Sequence, residues 1–145
     1  MKESLSPENR KDIVQYRLDR AVDTLAEAKY TAEGQMYNLA TNRLYYACFY
    51  AASALLIHDG IEASTHSGVK TQFSKNYILT QKFPTEFGTV LSILFNLRHT
   101  ADYEDFINCD AITIKMYLPL VENFVSSIKH HIEEMDIIND NNEPL

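Results

Sequence analysis

Val14, Leu18, Ala21, Val22, Leu25 and Ala28 recur every three or four positions with charged residues between them, the period of an amphipathic helix. Ser6-Pro7 supplies a start, with serine as N-cap and proline at the first helical position. Gly34 supplies a stop. The next segment, about Met36 to Asp59 with a stop at Gly60, is apolar nearly all round, through Leu44-Tyr45-Tyr46-Ala47-Cys48-Phe49-Tyr50-Ala51-Ala52. Such a helix needs partners on most sides, so it is either the centre of a bundle or part of a subunit interface. After a polar loop, Thr65 or Ser67 can cap a shorter helix carrying Val69, Phe73 and Tyr77. Pro84 breaks the chain, and Thr85 is expected to cap a fourth helix with Phe87, Val90, Leu91, Leu94, Leu97 and Ala101 on its apolar stripe. Asp110 begins a fifth, striped by Val121, Phe124, Val125, Ile128, Ile132 and Met135, and Pro119 inside it predicts a kink or a split. The pattern predicts an all-α, antiparallel up-down bundle of four long helices and a short one. A single domain is expected over residues 1–138, with a frayed polar tail at 139–145.

Composition narrows the class. At 145 residues the chain is long enough for one self-sufficient core, and 46% hydrophobic residues exclude a disordered chain. Four glycines are too few for the many turns of an all-β domain. The net charge is −7, and most of it lies beyond residue 108, where two basic residues face seven acidic ones. A broad duplex-DNA-binding face is therefore not expected, although a small anion site in the middle third is compatible with the near-neutral charge there. Cys48 and Cys109 have neither metal nor redox spacing. The first eight residues carry no signal-peptide pattern. The longest apolar run, Leu44–Ile57, has 14 residues, against about 20 for a membrane span. A cytoplasmic protein with reduced thiols is expected, with no membrane association. Neither a cofactor motif nor a metal-binding pattern is present, so no cofactor is expected.

Three constellations can carry chemistry. Arg98 follows Leu91 and Leu94 on an apolar stripe, and Asp102 and Asp105 share its face at i+4 and i+7. The arginine is either clamped by these carboxylates or aimed at a phosphate, which its planar fork fits. Arg43, Tyr46 and Tyr50, at i, i+3 and i+7, form either core packing or a surface for stacking bases and gripping phosphate. His66-Ser67-Gly68-Val69-Lys70 is either an ordinary cap or an anion pocket with Lys70 one turn in. His130 and Glu134 at i,i+4 lack a third ligand.

The run Arg43–Ala52, the His66-Ser67-Gly68 turn and Arg98-His99-Thr100-Ala101-Asp102-Tyr103 together resemble a HEPN domain over residues 8 to 135. The likeness is greatest to the small stand-alone prokaryotic branch with an Arg-x-x-Ala-Asp-Tyr signature. The resemblance implies a helical bundle that dimerises and is often encoded beside a small nucleotidyltransferase. It also implies an Arg-x(4–6)-His motif that cleaves RNA without a metal, the arginine on the phosphate and the histidine on the ribose 2′-OH. Arg98 matches that arginine. Positions 103, 104 and 105 hold Tyr, Glu and Asp where the histidine would stand. Tyr103 has an unperturbed pKa near 10, roughly 4 kcal/mol from a working base at neutral pH. It also lies about 140° round a straight helix from Arg98. His99 is about 100° away.

Two readings follow. The first is a homodimeric binding or interaction protein gripping a nucleotide or RNA phosphate, or partnering a nucleotidyltransferase, with Arg43, Tyr46, His66, Lys70, Asp102 and Asp105 in the binding surface. The second is a metal-independent ribonuclease toxin in which Arg98 works with Tyr103, His99 or His66. By the same resemblance, a partner transferase would silence the protein by adenylylating Tyr103.

Overall fold

The computed structural model describes residues 5–103 and 109–142, with side chains described outside 99–103. The chain forms α1 (Pro7–Glu33), α2 (Tyr37–His58), α3 (His66–Phe73), a π-helical turn (Ser74–Ile78), α4 (Thr85–Tyr103) and α5 (Ala111–Asn142). No strand occurs among the described residues. The all-α bundle predicted from periodicity is the fold. Cross-helix contacts fix its direction. Arg10 at the start of α1 donates to the Ile57 carbonyl at the end of α2 (2.7 Å). Arg98 late in α4 reaches Tyr46 early in α2, and Phe87 early in α4 packs on Phe124 of α5. His58 closes α2 onto Asp136 near the end of α5. The four long helices therefore run up, down, up, down.

The all-round apolar character of α2 is satisfied inside the chain. It packs against α1, α3, α4 and α5, and Leu44, Tyr45, Ala47, Cys48, Ala51, Ala52, Ala54, Leu55 and Leu56 are all buried. Ala21 and Ala28 of α1 and Ala47 and Ala51 of α2 are fully buried. Enclosure of α2 thus requires no second subunit.

Ser6 caps α1 by accepting from the Asn9 amide (3.1 Å), with Pro7 at the first helical position. The end of α1 departs from expectation in one detail. Gly34 is the C-cap with φ −80°, and the left-handed residue is Gln35 (φ 63°). The Met36 and Gln35 amides bond back to Thr31 and Ala32, so this Schellman turn takes its left-handed residue one position after the glycine. At the end of α2 the glycine does take that position. Gly60 has φ 74°, and the Ile61 amide returns to Leu56. Thr85 is the first residue of α4 rather than its cap. The segment after Phe73 widens into the π-helical turn instead of continuing as α-helix. Pro119 does not split α5. It is exposed, as is Lys115, whose carbonyl loses its partner amide. The helical backbone continues to Asn142, into the segment expected to fray.

One polar network binds α2, the π-helical turn and α5. Tyr77 donates to Asp59 Oδ2 (2.5 Å), while His58 Nδ1 and Nε2 lie 2.8 Å from Asp59 and 2.9 Å from Asp136. The bond to Asp59, helped by Asp136, raises the His58 pKa against the cost of burial. Burial pushes Asp59 up, but bonds from His58 and Tyr77 outweigh it and hold the carboxyl below its usual range. A raised histidine stabilises fully below its unfolded value of about 6.5 and loses this as pH rises through the folded pKa. A lowered carboxylate stabilises fully above its unfolded value of about 4 and loses this as pH falls through the folded pKa. The network is therefore strongest between about pH 4 and 6.5. His58→Gln is expected to destabilise by about 2 kcal/mol in that window. The gap should narrow towards pH 9 in thermal melts, and a gap that does not change with pH would remove the charged-histidine account.

Candidate functional site

The first half of α2 carries an aromatic platform, Tyr45, Tyr46, Phe49 and Tyr50, built from adjacent and one-turn-spaced rings. Helix α3 begins on it. Thr65 Oγ1 accepts the Gly68 amide (2.9 Å). A Cβ at Gly68 would lie 2.9 Å from that oxygen, so glycine is needed for this cap. The cap sets His66 flat on Phe49, with centroids 4.2 Å apart and planes 13° apart, and edge-on to Tyr46 at 5.7 Å. Tyr45 Oη and His66 Nδ1 lie 2.8 Å apart, the imidazole tautomer deciding which of them donates.

Arg98 approaches the same platform from α4. Its Nη2 donates to Tyr46 Oη (3.1 Å), and its Cζ lies 5.6 Å from the Tyr46 centroid and 5.8 Å from that of Tyr45. Tyr45 and Tyr46 thus contact both the imidazole and the guanidinium. Burial, and after it the positive charge of Arg98, lower the His66 pKa, so the ring is neutral at neutral pH. Burial also keeps the Tyr45 phenol protonated. A neutral imidazole near a permanent cation suits one group to accept a proton and the other to hold an anion.

The other predicted residues distribute around this centre. Arg43 lies over Tyr46 (5.2 Å), held by Asn42 (2.7 Å) and paired with Glu27 at 3.8 Å. Tyr50 is covered by Arg20 (5.3 Å) and Arg17 (5.9 Å) of α1 rather than by Arg43. Lys70 lies 4.4 Å over Phe95, and with Thr65 on the Gly68 amide the His66–Lys70 turn is capped from within the chain. Helix α4 is unbroken from Arg98 through Tyr103, so no break turns Tyr103 back towards Arg98. Asp102 stands one turn after Arg98 on that helix, and its side chain, like those of His99 and Tyr103, lies outside the described residues. Asp105 and Glu104 also lie outside them. Among the described residues no group of three metal-ligating side chains converges, and no helix is long and apolar enough to cross a membrane.

Sequence spacing did not single out Tyr45 and Phe49, which read as core, or Arg17 and Arg20. A signal for the arginines exists: Arg10, Arg17 and Arg20 lie seven and three residues apart along one side of α1, flanking the Val14–Leu18–Ala21 stripe.

The up-down helical bundle is the architecture expected of HEPN domains. The HEPN-domain family model matches residues 14–131, and the chain belongs to that family. A Thermotoga maritima protein named "UPF0332 protein" is 32% identical over 126 residues, covering 87% of this chain and 96% of its own length. Two Methanocaldococcus jannaschii proteins are also similar. One, named "Putative toxin MJ0142", is 27% identical over 87% of this chain and 86% of its own. The other, named "Putative toxin MJ0605", is 32% identical over 71% of this chain and 76% of its own.

Proposed function

We propose that the chain is a toxin-type endoribonuclease that cleaves RNA without a metal at the Arg98–His66 platform. The observation supporting this is the convergence of both side chains on Tyr45 and Tyr46, which supplies an imidazole from α3 where positions 103–105 hold none. Arg98 holds the scissile phosphate through its fork of N–H donors. His66, with its Nδ1 proton donated to Tyr45, uses Nε2 to take the proton of the ribose 2′-OH. The 2′-oxygen forms a bond to phosphorus and the bond to the 5′-oxygen breaks. A proton from solvent goes to the departing 5′-oxygen, leaving a 2′,3′-cyclic phosphate and a 5′-hydroxyl. Stacking on Phe49 and the bond to Tyr45 fix the imidazole, so little orientation has to be found during the reaction.

The test is RNA cleavage by purified protein in EDTA. Wild type is expected to cut, and Arg98→Ala to lose the activity. If folded, unmodified wild-type protein does not cut, the cleavage reading falls and a binding module for nucleotide or RNA phosphate takes its place. Family resemblance also supports a cytoplasmic homodimer working beside a nucleotidyltransferase that adenylylates Tyr103. An unchanged intact mass after co-expression with such a transferase would remove the modification from this picture.

A further inference from the structure

At the far end of the bundle from Arg98, His58 bridges carboxylates on two helices. Its Nδ1 lies 2.8 Å from Asp59 Oδ1 and its Nε2 lies 2.9 Å from Asp136 Oδ1. An ionised carboxylate only accepts, so both contacts are hydrogen bonds only while both ring nitrogens carry protons. The charged and titratable groups around this imidazole come from four elements. Asp59 follows it in the chain and accepts from Tyr77 of the π-helical turn. Asp136 comes from α5, as does His131, which acts on Asp59. Arg10 of α1 holds the neighbouring Ile57 carbonyl, and Lys82 lies over the Tyr77 ring at 5.8 Å. The last buried side chain of α5 among the described residues is Ile132, and none is buried in residues 133–142. Among the described residues, the bond between Asp136 and His58 is the only side-chain hydrogen bond or ion pair tying this end of α5 to another helix. The pairs of Glu133 with Lys129 and of Glu134 with His130 stay within α5. A cleft of ≈ 520 Å³ lies beside the bridge, with Tyr77, Lys82, His131 and Met135 in its wall.

A neutral imidazole has one N–H and one lone pair. It can keep one of the two carboxylates and turns a lone pair towards the other. Asp59 is the one it keeps. That carboxylate is fixed by its place beside His58 and by Tyr77, and its burial makes the loss of a donor costly. The Asp136 side chain is 39% exposed and can turn to water instead. We propose that His58 is a proton-operated latch: loss of its Nε2 proton to solvent releases Asp136, and residues 133–142 of α5 come free of the bundle while Asp59 stays in place. The freed end carries Glu133, Glu134, Asp140 and the exposed Ile137 and Ile138 away from α2. Met135 leaves the wall of the cleft, which opens beside Tyr77 and Lys82. The bond to Asp59, opposed by burial and helped by Asp136, raises the His58 pKa. The end is therefore docked below that raised value and comes free as pH rises through it, above about 6.5. None of this depends on the cleavage reading.

The experiment is amide hydrogen exchange on the whole protein, read by mass spectrometry at about pH 5.5 and about pH 8.5, either side of the histidine range. Rates are corrected for the intrinsic pH dependence of exchange. Protection of residues 133–142 is expected to fall at least about tenfold at the higher pH, the scale of one lost charge-assisted hydrogen bond. Residues 121–132 should keep their protection. Asp136→Asn separates a latch from a merely structural contact. Its amide accepts from a protonated Nε2 and donates to a neutral one, so the end should stay docked at both pH values. Asp136→Ala should leave the end unprotected at both, with residues 121–132 protected as in wild type. The ring-nitrogen chemical shifts of neutral His58 should place its remaining proton on Nδ1. Equal wild-type protection of residues 133–142 at the two pH values would overturn the proposal. So would a loss shared equally by residues 121–132, a neutral His58 protonated on Nε2, or an Asp136→Asn protein with the pH dependence of wild type.

Discussion

Replacing His66 with glutamine is expected to slow RNA cleavage by at least about 100-fold, the scale of a lost general acid or base, with the fold intact. Glutamine keeps a planar polar end that can reach Tyr45 but cannot take a proton at neutral pH. Tyr45→Phe should cost much less, about tenfold, since it removes only the bond positioning the imidazole. The pH profile separates these roles. Burial first, and Arg98 second, lower the His66 pKa. The cleavage rate should therefore rise with pH through a value below the ordinary 6.5 and level off before neutrality. Removing the Arg98 charge takes away the second cause and leaves the first. In Arg98→Gln, the His66 titration followed by NMR should move upward while staying below that of a free imidazole. A titration unmoved in Arg98→Gln would mean that the two groups do not share an electrostatic environment, and the composite site would fail. Full activity in His66→Gln would return attention to Tyr103 or His99.

Phe124→Ala is expected to destabilise the fold by about 3–5 kcal/mol, the cost of emptying a large aromatic site in a packed core. Phe124 is fully buried on α5, with Phe73 of α3 at 5.4 Å and Phe87 of α4 at 5.1 Å. The layer extends to Phe83, which stacks on Phe87 at 5.5 Å. One side chain thus joins three helices, and none of the three can collapse into the gap without leaving α2. For a domain of this size the loss corresponds to a fall in Tm of roughly 10–15 °C. Thermal denaturation checks it, and a fall of only a few degrees would mean that the layer relaxes to fill the space.

The contrast between these residues shows what was legible in the sequence. Phe124 stood on a stripe with Val121, Val125, Ile128 and Ile132, and burial of such a stripe follows from helical period alone. Ser6-Pro7 and Gly60 mark helix ends through local backbone chemistry, and the ends fall where they were expected. Gln35 was not legible. A Schellman turn asks only for one left-handed residue, and here the hydrogen bonds to Thr31 and Ala32 place it after the glycine. The π-helical turn at Ser74–Ile78 has no spacing signal either, because Phe73 and Tyr77 are four apart as in any α-helix. The burial of Tyr77 beside Leu55 and Asp59 depends on α2.

The candidate site divides in the same way. Arg98 was readable, since a cation at the end of an apolar stripe demands a reason. That His66 shares its aromatic platform was not, although His66 was one of three candidate partners, because motif spacing searches along one helix and His66 arrives from another. The sequence by itself determined the helical class, the order of the elements and the central place of α2, and it singled out Arg98 as a candidate. All of these follow from periodicity and local capping, which act over a few residues. Only the tertiary structure decided that α3 lays His66 on Phe49 and against Tyr45 and that α4 delivers Arg98 to the same platform. Those contacts span from 17 to 52 residues of chain, and they exist because three helices must bury their apolar faces on α2 together.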